Sequence, residues 1–374
     1  MLLLIPGPVT TRPEIRAAMA QDIAPWDNEF RDFLTGLSHR VLGLAGGKAD
    51  THVALPLQGC GHFITEAALR TFLPSGGRIL IPASGTYSER MMRLAREAGR
   101  DPVPLPVGRT ERVDPEAVIR ALEADPSLSH VGIVYSETGT GIINDVPAIG
   151  DAVRQAGRRM IVDAVSAFGA LPLDLSVQPE IDAVVFTSNK CLEALPGISY
   201  AVARIERLAG MAGQAGSWSL DLASLYDHTL KQGPGRFRFT PPAQVLKALD
   251  RAIDFHDAEG REARLARYTA NMHRLYDGVR ALGLTPWLPE AVQGPVIVNV
   301  HAPADPAWDL QRFVDALKRR EVLISNFYNT PAPTFRVGCI GAIAPEDMAR
   351  AVEAMGAALD EMGIRQRAPL LANA

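Results

Sequence analysis

The feature that most constrains the fold of this sequence is a regular alternation of short apolar runs with longer amphipathic stretches. The short runs have the length of β-strands, and the longer stretches have helical spacing of their apolar residues. Strands that alternate with helices are typical of a mainly parallel sheet covered by helices on both faces. We therefore expect an α/β protein. The predicted strands are residues 53–55, 78–81, 102–105, 130–135, 160–162, 183–186 and 198–203.

The alternation ends before the C-terminal part of the chain. Residues 219–282 have a helical pattern, which includes a long run over 262–282. After this run, strand and helix patterns return in a smaller set, which is typical of a small α+β domain. We predict a large domain of residues 1–260 and a small C-terminal domain of residues 261–374. Its predicted strands are 296–300 and 334–338, and its predicted helices are 308–319 and 345–362.

The composition argues against several classes of protein. The net charge is −4 and no basic tract is present, which disfavours a nucleic-acid partner. The apolar runs are too short to span a bilayer, and Pro6-Gly7-Pro8 interrupts the apolar start without a preceding basic segment. The three cysteines are widely spaced, and there is neither a CxxC nor an HExxH motif. We expect a cytoplasmic protein with no metal, membrane or nucleic-acid partner.

Polar residues follow several of the predicted strands. Asp163 ends one apolar run, and Lys190 lies just beyond another. Because ligands of parallel sheets bind at the carboxyl ends of the strands, these side chains can converge on one crevice. A lysine that forms an imine and an aspartate that keeps a pyridine nitrogen protonated are what pyridoxal phosphate (PLP) chemistry requires. Taken alone, the pair is weak evidence, because a lysine at this position is more often a solvated strand end.

Residues 58–62, Gln-Gly-Cys-Gly-His, join a predicted strand to a predicted helix. Glycines allow the backbone to approach a ligand, and a helix start offers free N–H groups to a phosphate. The segment is neither a Walker A loop nor a GxGxxG motif, so a nucleotide is not favoured. The alternative is a tight turn.

Tyr87 lies at another strand end, where its ring could stack on a flat cofactor ring or simply pack against the protein. Residues 136–141 are rich in glycine and hydroxyl side chains and could hold a ring oxygen or form a flexible turn.

Two further segments carry candidate ligand groups. Thr240 precedes Pro241-Pro242 at a predicted helix start, where its hydroxyl could bind a ligand or only cap the helix. Arg336 lies within a predicted strand of the small domain. An arginine there suits a planar carboxylate or a phosphonate, and the alternative is a structural ion pair.

Through these segments, the chain resembles the class V (fold-type I) PLP aminotransferases over nearly its whole length. The branch that it resembles most is the 2-aminoethylphosphonate–pyruvate transaminases, since Asn189-Lys190-Cys191 stands where alanine–glyoxylate enzymes usually have Gln-Lys. The resemblance implies a mainly parallel seven-stranded sheet with helices on both faces. The matching segments are residues 6–11, 25–27, 57–61, 85–91, 137–141, 162–169, 188–191, 196–197, 219–222, 238–240 and 335–341.

The resemblance also implies roles for individual residues. Lys190 would form the Schiff base with PLP and shuttle the proton, and Asp163 would pair with the pyridine nitrogen. The N-terminal segment, residues 1–20, would reach the active site, where Gly7 and Arg336 would contact substrate. Thr240 would reach the phosphate in the neighbouring subunit, which implies a homodimer with shared sites. The other cofactor contacts that it implies are Cys60, Gly61, His62, Tyr87, Thr138 and Asn189.

The implied reaction moves the amino group of 2-aminoethylphosphonate to pyruvate, in phosphonate catabolism. The chain departs from the pattern at residues 213–218, which lack an arginine, at residues 325–328, and at His62, which alanine–glyoxylate enzymes carry. These departures leave an alanine– or serine–glyoxylate transaminase or a related PLP lyase as the alternative. A cysteine desulfurase is disfavoured because Cys339 lies in an apparent strand. A PLP-free protein is disfavoured because Lys190 and Asp163 are both present.

Overall fold

The computed structural model describes residues 1–370. Up to residue 260 it contains two short N-terminal elements, a large sheet and the helices around that sheet. In chain order these elements are β1 (Leu2–Leu3), α1 (Pro13–Ala17), α2 (Asn28–Leu44), β2 (His52–Gln58), α3 (Gly61–Phe72), β3 (Arg78–Ala83), α4 (Thr86–Glu97), β4 (Asp101–Pro106), α5 (Pro115–Ala124), β5 (Leu128–Val134), β6 (Ser136–Glu137), β7 (Ile142–Ile143), α6 (Val146–Gln155), β8 (Arg159–Asp163), β9 (Ile181–Thr187), β10 (Ile198–Arg204), α7 (Ile205–Leu208), α8 (Leu222–Gln232) and α9 (Ala243–Glu259).

The large sheet has seven strands in the order β2-β10-β9-β8-β5-β3-β4. Strands β9, β8, β5, β3 and β4 pair in parallel, whereas β10 is antiparallel to both of its neighbours, β9 and β2. The reversal of β10 follows from its connection, since residues 188–197 are too few for the crossover that a parallel strand needs. The mainly parallel seven-stranded sheet expected from the sequence is confirmed.

Helices cover both faces of this sheet because its central strands are apolar on both sides. In β9, Val184 and Phe186 point into one core, whereas Ala183 and Val185 point into the other. Successive side chains of a strand face opposite sides, so an uninterrupted apolar strand requires two cores. All seven residues of β9 are buried. The strand is therefore central, and the residues that follow it lie at a buried part of the carboxyl edge of the sheet.

A second, smaller core is built by the rest of the chain. Its elements are α10 (Arg261–Ala281), β11 (Ile297–His301), α11 (Leu310–Lys318), β12 (Val322–Leu323), β13 (Thr334–Gly338) and α12 (Pro345–Glu361). Strands β11 and β13 pair antiparallel, and Phe313 and Phe335 are among the buried side chains of this core.

The first residues of the chain pack on this second core. β1 pairs in parallel with β12, and Leu2 and Leu4 are buried in the cluster that contains Phe313. The chain then leads from β1 towards the carboxyl edge of the large sheet. Within residues 1–370, no helix is long and apolar enough to cross a membrane.

Candidate active site

A cavity of about 200 Å³ lies at the carboxyl edge of the large sheet, beside the ends of β8 and β9. A second cavity, of about 530 Å³, adjoins it and shares Gly7, Tyr87 and Lys190 with it. The first cavity brings together most of the residues singled out in the sequence, and the second adds Arg336. The predicted residues that line the first cavity are Gly7, Cys60, Gly61, His62, Tyr87, Asp163, Asn189 and Lys190.

Lys190 lies in the turn that follows β9. Hydrogen bonds fix this turn: Thr187 Oγ1 donates to Asn189 Oδ1 at 3.0 Å, and the Glu193 N–H donates to the Lys190 carbonyl at 2.9 Å. Burial lowers the pKa of the Lys190 ammonium, and nearby Arg336 lowers it further, against the opposing effects of Tyr87, Cys191 and Asp163. An amine with a lowered pKa is more often neutral, which is the form that attacks a carbonyl carbon.

Gly7 leaves room for the Lys190 side chain. A Cβ atom at residue 7 would lie 2.5 Å from Lys190 Cδ and 2.9 Å from Nζ. The φ angle of Gly7 is 147°, which also favours glycine. The N-terminal segment therefore contacts Lys190 directly and requires glycine where it does so.

Asp163 ends β8 and is nearly buried. Its Oδ1 accepts the Val165 N–H at 3.0 Å, and its Oδ2 accepts the Thr65 hydroxyl at 3.3 Å. Burial raises the pKa of Asp163 to about 6, although these hydrogen bonds and the positive charges of Arg90 and Lys190 lower it. A carboxylate held this way gains from a cationic partner in the cavity, such as a protonated ring nitrogen.

The first turn of α3 faces the same cavity. Cys60 is the residue before the helix, and its side chain makes no capping hydrogen bond. In the described part of the chain, the backbone N–H groups of Gly61 and His62 have no acceptor. A Cβ at Gly61 would lie 2.5 Å from the Val165 side chain, so glycine is required for this approach. Free N–H groups at a helix start are a binding site for a phosphate dianion.

Tyr87 lies in the first turn of α4, and Arg90 follows one turn later. The Arg90 guanidinium is 4.9 Å from the centre of the Tyr87 ring, and both residues line the cavity. Burial tends to raise the pKa of the Tyr87 phenol, but Lys190, the Thr138 hydroxyl, Arg336 and Arg90 outweigh it, so the pKa is lowered. The Tyr87 side chain is therefore set among positive charges.

Arg336 is a buried arginine in β13 that has no carboxylate partner among residues 1–370. Its Nη1 donates to the Thr138 carbonyl at 3.1 Å, and its Nε donates to Ser325 Oγ at 3.3 Å. The Phe327 ring lies 4.7 Å from the guanidinium carbon. Among residues 1–370, no acidic side chain forms a salt bridge with it. The Arg336 side chain also interacts with the Tyr87 phenol and lines the adjoining cavity, and the ion pair considered from the sequence is absent from the described chain.

Two of the predicted residues, Thr138 and Thr240, line neither of the two cavities. Thr138 is buried, its hydroxyl lies near enough to Tyr87 to lower the pKa of that phenol, and its carbonyl accepts a hydrogen bond from Arg336. Thr240 is exposed and lies beside the exposed ring of Phe239. Its predicted role involves a neighbouring subunit, so that role stays a prediction.

The sequence reading missed three residues of this region: Thr65, Arg90 and Glu137. Thr65 lies four residues after Gly61 and therefore on the same face of α3, which brings its hydroxyl to Asp163. Arg90 lies three residues after Tyr87 on α4. For both residues, the helical spacing from a predicted site residue, Gly61 or Tyr87, is the sequence signal that places them on the face towards the site. Glu137 lay within a chosen segment, but its contacts are formed only in the tertiary fold.

The comparison with known proteins is consistent with this geometry. The profile of the family Aminotransferase class-V matches residues 49–325. The chain belongs to the class V aminotransferases. It is 43% identical over 364 residues to a 2-aminoethylphosphonate–pyruvate transaminase of Burkholderia ambifaria, covering 97% of this chain and 96% of the relative. It is 39% identical to a 2-aminoethylphosphonate–pyruvate transaminase of Pseudomonas fluorescens, covering 97% and 98%.

Solved structures show the same fold. Pyridoxamine–pyruvate aminotransferase from Mesorhizobium loti superposes with a TM-score of 0.88 at 26% identity, covering 98% of this chain and 93% of that one. Ureidoglycine–glyoxylate aminotransferase from Bacillus subtilis gives 0.87 at 23% identity, covering 96% and 93%. These findings confirm the predicted family, fold type I and a PLP-dependent aminotransferase.

The residues of this cavity fit PLP. The unpaired N–H groups of Gly61 and His62 suit its phosphate, and the buried Asp163 carboxylate suits its pyridine nitrogen. The Thr138 hydroxyl, next to Tyr87, offers a further polar contact. Lys190 would supply the amine that binds the aldehyde carbon. PLP is the cofactor of this enzyme, and no group of three or more metal-binding side chains occurs in residues 1–370.

Proposed function

We propose that this enzyme transfers the amino group of 2-aminoethylphosphonate to pyruvate, giving phosphonoacetaldehyde and L-alanine in phosphonate catabolism. The observation that carries the proposal is Arg336, a buried guanidinium without a carboxylate partner, beside the cavity of Lys190. A buried cation of this kind gains most from an anionic ligand. Both proposed substrates carry an acidic group, and the relatives at 39–43% identity bear the name of this reaction.

The side chains divide the work of the reaction. When bound, PLP supplies a carbonyl carbon and a ring that accepts electrons. Lys190 Nζ would take the proton from the carbon that bears the donor amine and deliver it to the carbon that was the aldehyde carbon of PLP, with the reverse transfer when pyruvate accepts the amine. Asp163 carries the negative charge that keeps the ring nitrogen protonated. Arg336 holds the acidic group of each substrate in turn and so orients the reacting carbon towards Lys190.

Arg336 also explains how one site can accept two different acids. With Nε bonded to Ser325 and Nη1 to Thr138, the guanidinium is fixed in orientation, and Phe327 covers one face. Its remaining N–H groups, beside the adjoining cavity, would bind the phosphonate of the donor or the carboxylate of pyruvate. Arg336→Lys should raise the KM of both substrates by at least ~10-fold, since lysine cannot keep this fork, and leave PLP affinity within a factor of about two.

A donor panel tests the substrate assignment. 2-Aminoethylphosphonate is compared with 3-aminopropanoate, which has the same chain but a carboxylate, and with L-serine, each with pyruvate and with glyoxylate. We expect turnover of 2-aminoethylphosphonate with pyruvate, at least ~10²-fold above 3-aminopropanoate in kcat/KM, a difference of about 2.7 kcal/mol. No turnover of 2-aminoethylphosphonate would contradict the proposal. Turnover of serine with glyoxylate instead would favour a serine–glyoxylate-type enzyme.

We propose that the working enzyme is a homodimer in which Thr240 completes the partner's cofactor site. The support is an apolar surface next to Thr240, where Trp218 and Phe239 are 67% and 49% exposed and their rings meet edge-on at 5.0 Å. A groove of about 410 Å³ that includes Phe63 and Phe239 runs beside it. Exposed aromatic clusters of this kind are typical of protein interfaces.

Analytical ultracentrifugation and PLP titration test the dimer. Phe239→Asp should give monomers, whereas Thr240→Val should leave a dimer whose PLP dissociation constant is raised by about 10-fold or more, as for one lost charge-assisted hydrogen bond. Val177→Asp, at another exposed apolar residue, is the control and should change neither quantity. A monomeric wild-type enzyme with full activity would contradict this proposal.

We further propose a domain boundary at Gly260, which has a φ of 82° and separates α9 from α10, so that residues 1–260 and 261–374 form two domains. β1 and β12 pair across this boundary. Limited proteolysis that cuts first near residue 260 would support it.

We also propose a cytoplasmic location, since Cys60, Cys191 and Cys339 are free thiols. Recovery of the enzyme outside the cytoplasmic fraction of its source cells would contradict that location.

A further inference from the structure

Glu137 is a buried carboxylate at the site to which the proposed reaction gives no task. It lies in β6 and is 0% exposed. Its Oε1 accepts the N–H groups of Tyr87 at 3.2 Å and Gly139 at 2.9 Å. Its Oε2 accepts the N–H groups of Tyr87 at 3.1 Å and Ser88 at 3.1 Å. The side chain is therefore saturated by backbone donors.

The fold makes room for this carboxylate with two glycines. A Cβ at Gly85 would lie 2.5 Å from Glu137 Cδ, and a Cβ at Gly139 would lie 2.8 Å from Oε1. Gly85 precedes α4 and has no side chain to cap it, so Glu137 provides the acceptor for the first turn of that helix. A negative charge is favoured at a helix N-terminus by the unpaired N–H groups there.

The contacts of Glu137 lead to both halves of the site. On one side it holds the backbone of Tyr87, whose side chain lines the cofactor cavity. On the other it holds the turn at Gly139, and the carbonyl of the intervening Thr138 accepts Arg336 Nη1. A shift of one carboxylate would therefore move Tyr87 and the anchor of Arg336 together.

We propose that Glu137 is a positioning residue of the transamination site, which fixes Tyr87 at the cofactor cavity and the Thr138 anchor of Arg336 in one geometry. The part of this inference that concerns Arg336 rests on the proposed function. The part that concerns Tyr87 requires only that the cavity binds PLP. The carboxylate form matters because Glu137 acts only as an acceptor in its hydrogen bonds with the backbone. Glu137→Gln would turn one acceptor into an NH₂ donor facing N–H groups.

Two variants disturb this carboxylate in different ways. Glu137→Gln keeps its shape and removes an acceptor. Gly85→Ala keeps the carboxylate and displaces it, and the extended backbone of Gly85, with φ 171°, tolerates alanine. The matched control is Glu180→Gln, since Glu180 is 2% exposed, pairs with Arg154 at 3.1 Å and precedes β9 at the opposite edge of the sheet.

Three quantities are measured for each variant: the PLP dissociation constant of the apoprotein by equilibrium titration, the KM of amine and oxo acid, and Tm. We expect Glu137→Gln and Gly85→Ala to raise the PLP dissociation constant and both KM values by about 10-fold or more, with kcat less affected. Glu180→Gln should lower Tm and leave the dissociation constant and KM within a factor of about two.

A Glu137→Gln protein with lowered Tm but unchanged PLP affinity and KM would overturn the proposal, since Glu137 would then be structural only. If the wild-type enzyme does not turn over 2-aminoethylphosphonate, the proposed function fails, but the PLP titration still decides the role of Glu137. Should Glu137→Gln not fold, Gly85→Ala supplies the same comparison. Unchanged PLP affinity in Gly85→Ala would overturn the proposal as well.

Discussion

The side chain of Lys190 runs along the backbone of Gly7, within a distance that excludes any Cβ atom. This contact joins the N-terminal segment to the turn after β9, and no local pattern in the sequence announces it. Lys190 and Asp163 themselves could be predicted, because a polar residue at the end of a buried strand is visible in the sequence. Glu137 could not be, since its importance arises from hydrogen bonds to residues distant in the chain.

Replacing Lys190 tests its place in the chemistry. Lys190→Ala should lower kcat by at least ~10³-fold, since both the covalent attachment and the proton transfer are lost. It should also abolish the visible absorbance change that PLP undergoes on attachment to a lysine amine, while retaining a folded protein. Absorbance titration and circular dichroism measure these properties, with Lys247→Ala as a control at a distant lysine. An unchanged absorbance band in Lys190→Ala would contradict the assignment.

Asp163 should make the stability of the apoprotein depend on pH. Burial raises its pKa from 3.8 to about 6, so the folded state binds the proton more tightly than the unfolded chain. This contribution of Asp163 to the free energy of unfolding is fully present below about pH 4 and is lost as pH rises through about 6, on the order of 3 kcal/mol in total. Urea unfolding of apoprotein at several pH values measures it.

Asp163→Asn removes this contribution, so the difference between wild type and variant should shrink along the same pH range. The comparison separates Asp163 from Glu137, whose pKa is also raised, to about 7, mainly by burial. A difference that does not vary between pH 4.5 and 7.5 would contradict the raised pKa of Asp163.

At the scale of elements, strands and helices with strong periodicity were predicted well. The predicted helix over 262–282 is α10, Arg261–Ala281, and the strand predicted over 334–338 is β13. The sequence did not reveal β1, because two residues carry no periodicity and this strand forms only by pairing with β12. The reversed direction of β10 was equally invisible, since the pattern of a buried strand is the same in both directions.

The position of α3 against the cavity depends on Gly61. Gly61→Ala would place a methyl group 2.5 Å from Val165 and push the helix start away from the phosphate, so the PLP dissociation constant should rise by about 10-fold. Val165→Ala should restore most of the affinity in the double variant, because it removes the atoms that clash. Fluorescence titration of apoprotein with PLP measures both.

Gly36→Ala is the matched control for this series. Gly36 lies in α2 with no atom within 4 Å of a Cβ, so alanine there should leave PLP affinity unchanged and stabilise the helix by about 0.5–1 kcal/mol. If Val165→Ala fails to recover the affinity lost in Gly61→Ala, the steric account of α3 is wrong.

At the scale of the whole molecule, one ionic cluster links the Lys190 turn to the chain that follows β13. Glu193, with a φ of 59° and 1% exposure, accepts Tyr268 Oη at 2.6 Å and Arg267 Nη2 at 2.8 Å. Arg267 Nη1 donates to the carbonyls of Gly341 and Ile343 at 2.7 and 2.9 Å. Arg267 on α10 therefore fixes the lysine turn and the end of the Arg336 strand in one frame.

Arg267→Met should disturb both the stability and the geometry of the molecule. The buried Glu193 carboxylate would lose its ion pair, at a cost on the order of 2–3 kcal/mol, and the Gly341 and Ile343 carbonyls would lose a donor. Because Arg336 would then be less firmly placed relative to Lys190, kcat/KM should fall by about 10-fold or more.

The double variant Arg267→Met/Glu193→Gln should recover part of the stability, since the buried charge of Glu193 is removed and Glu259 keeps its pair with Arg264. It should not recover the activity, since the link to residues 341–343 is still missing. Denaturant unfolding and steady-state kinetics on the same preparations separate these effects, with Arg93→Met, in an exposed pair with Glu97, as the control. Full recovery of kcat/KM in the double variant would show that Arg267 only neutralises Glu193 and does not align the two parts of the site.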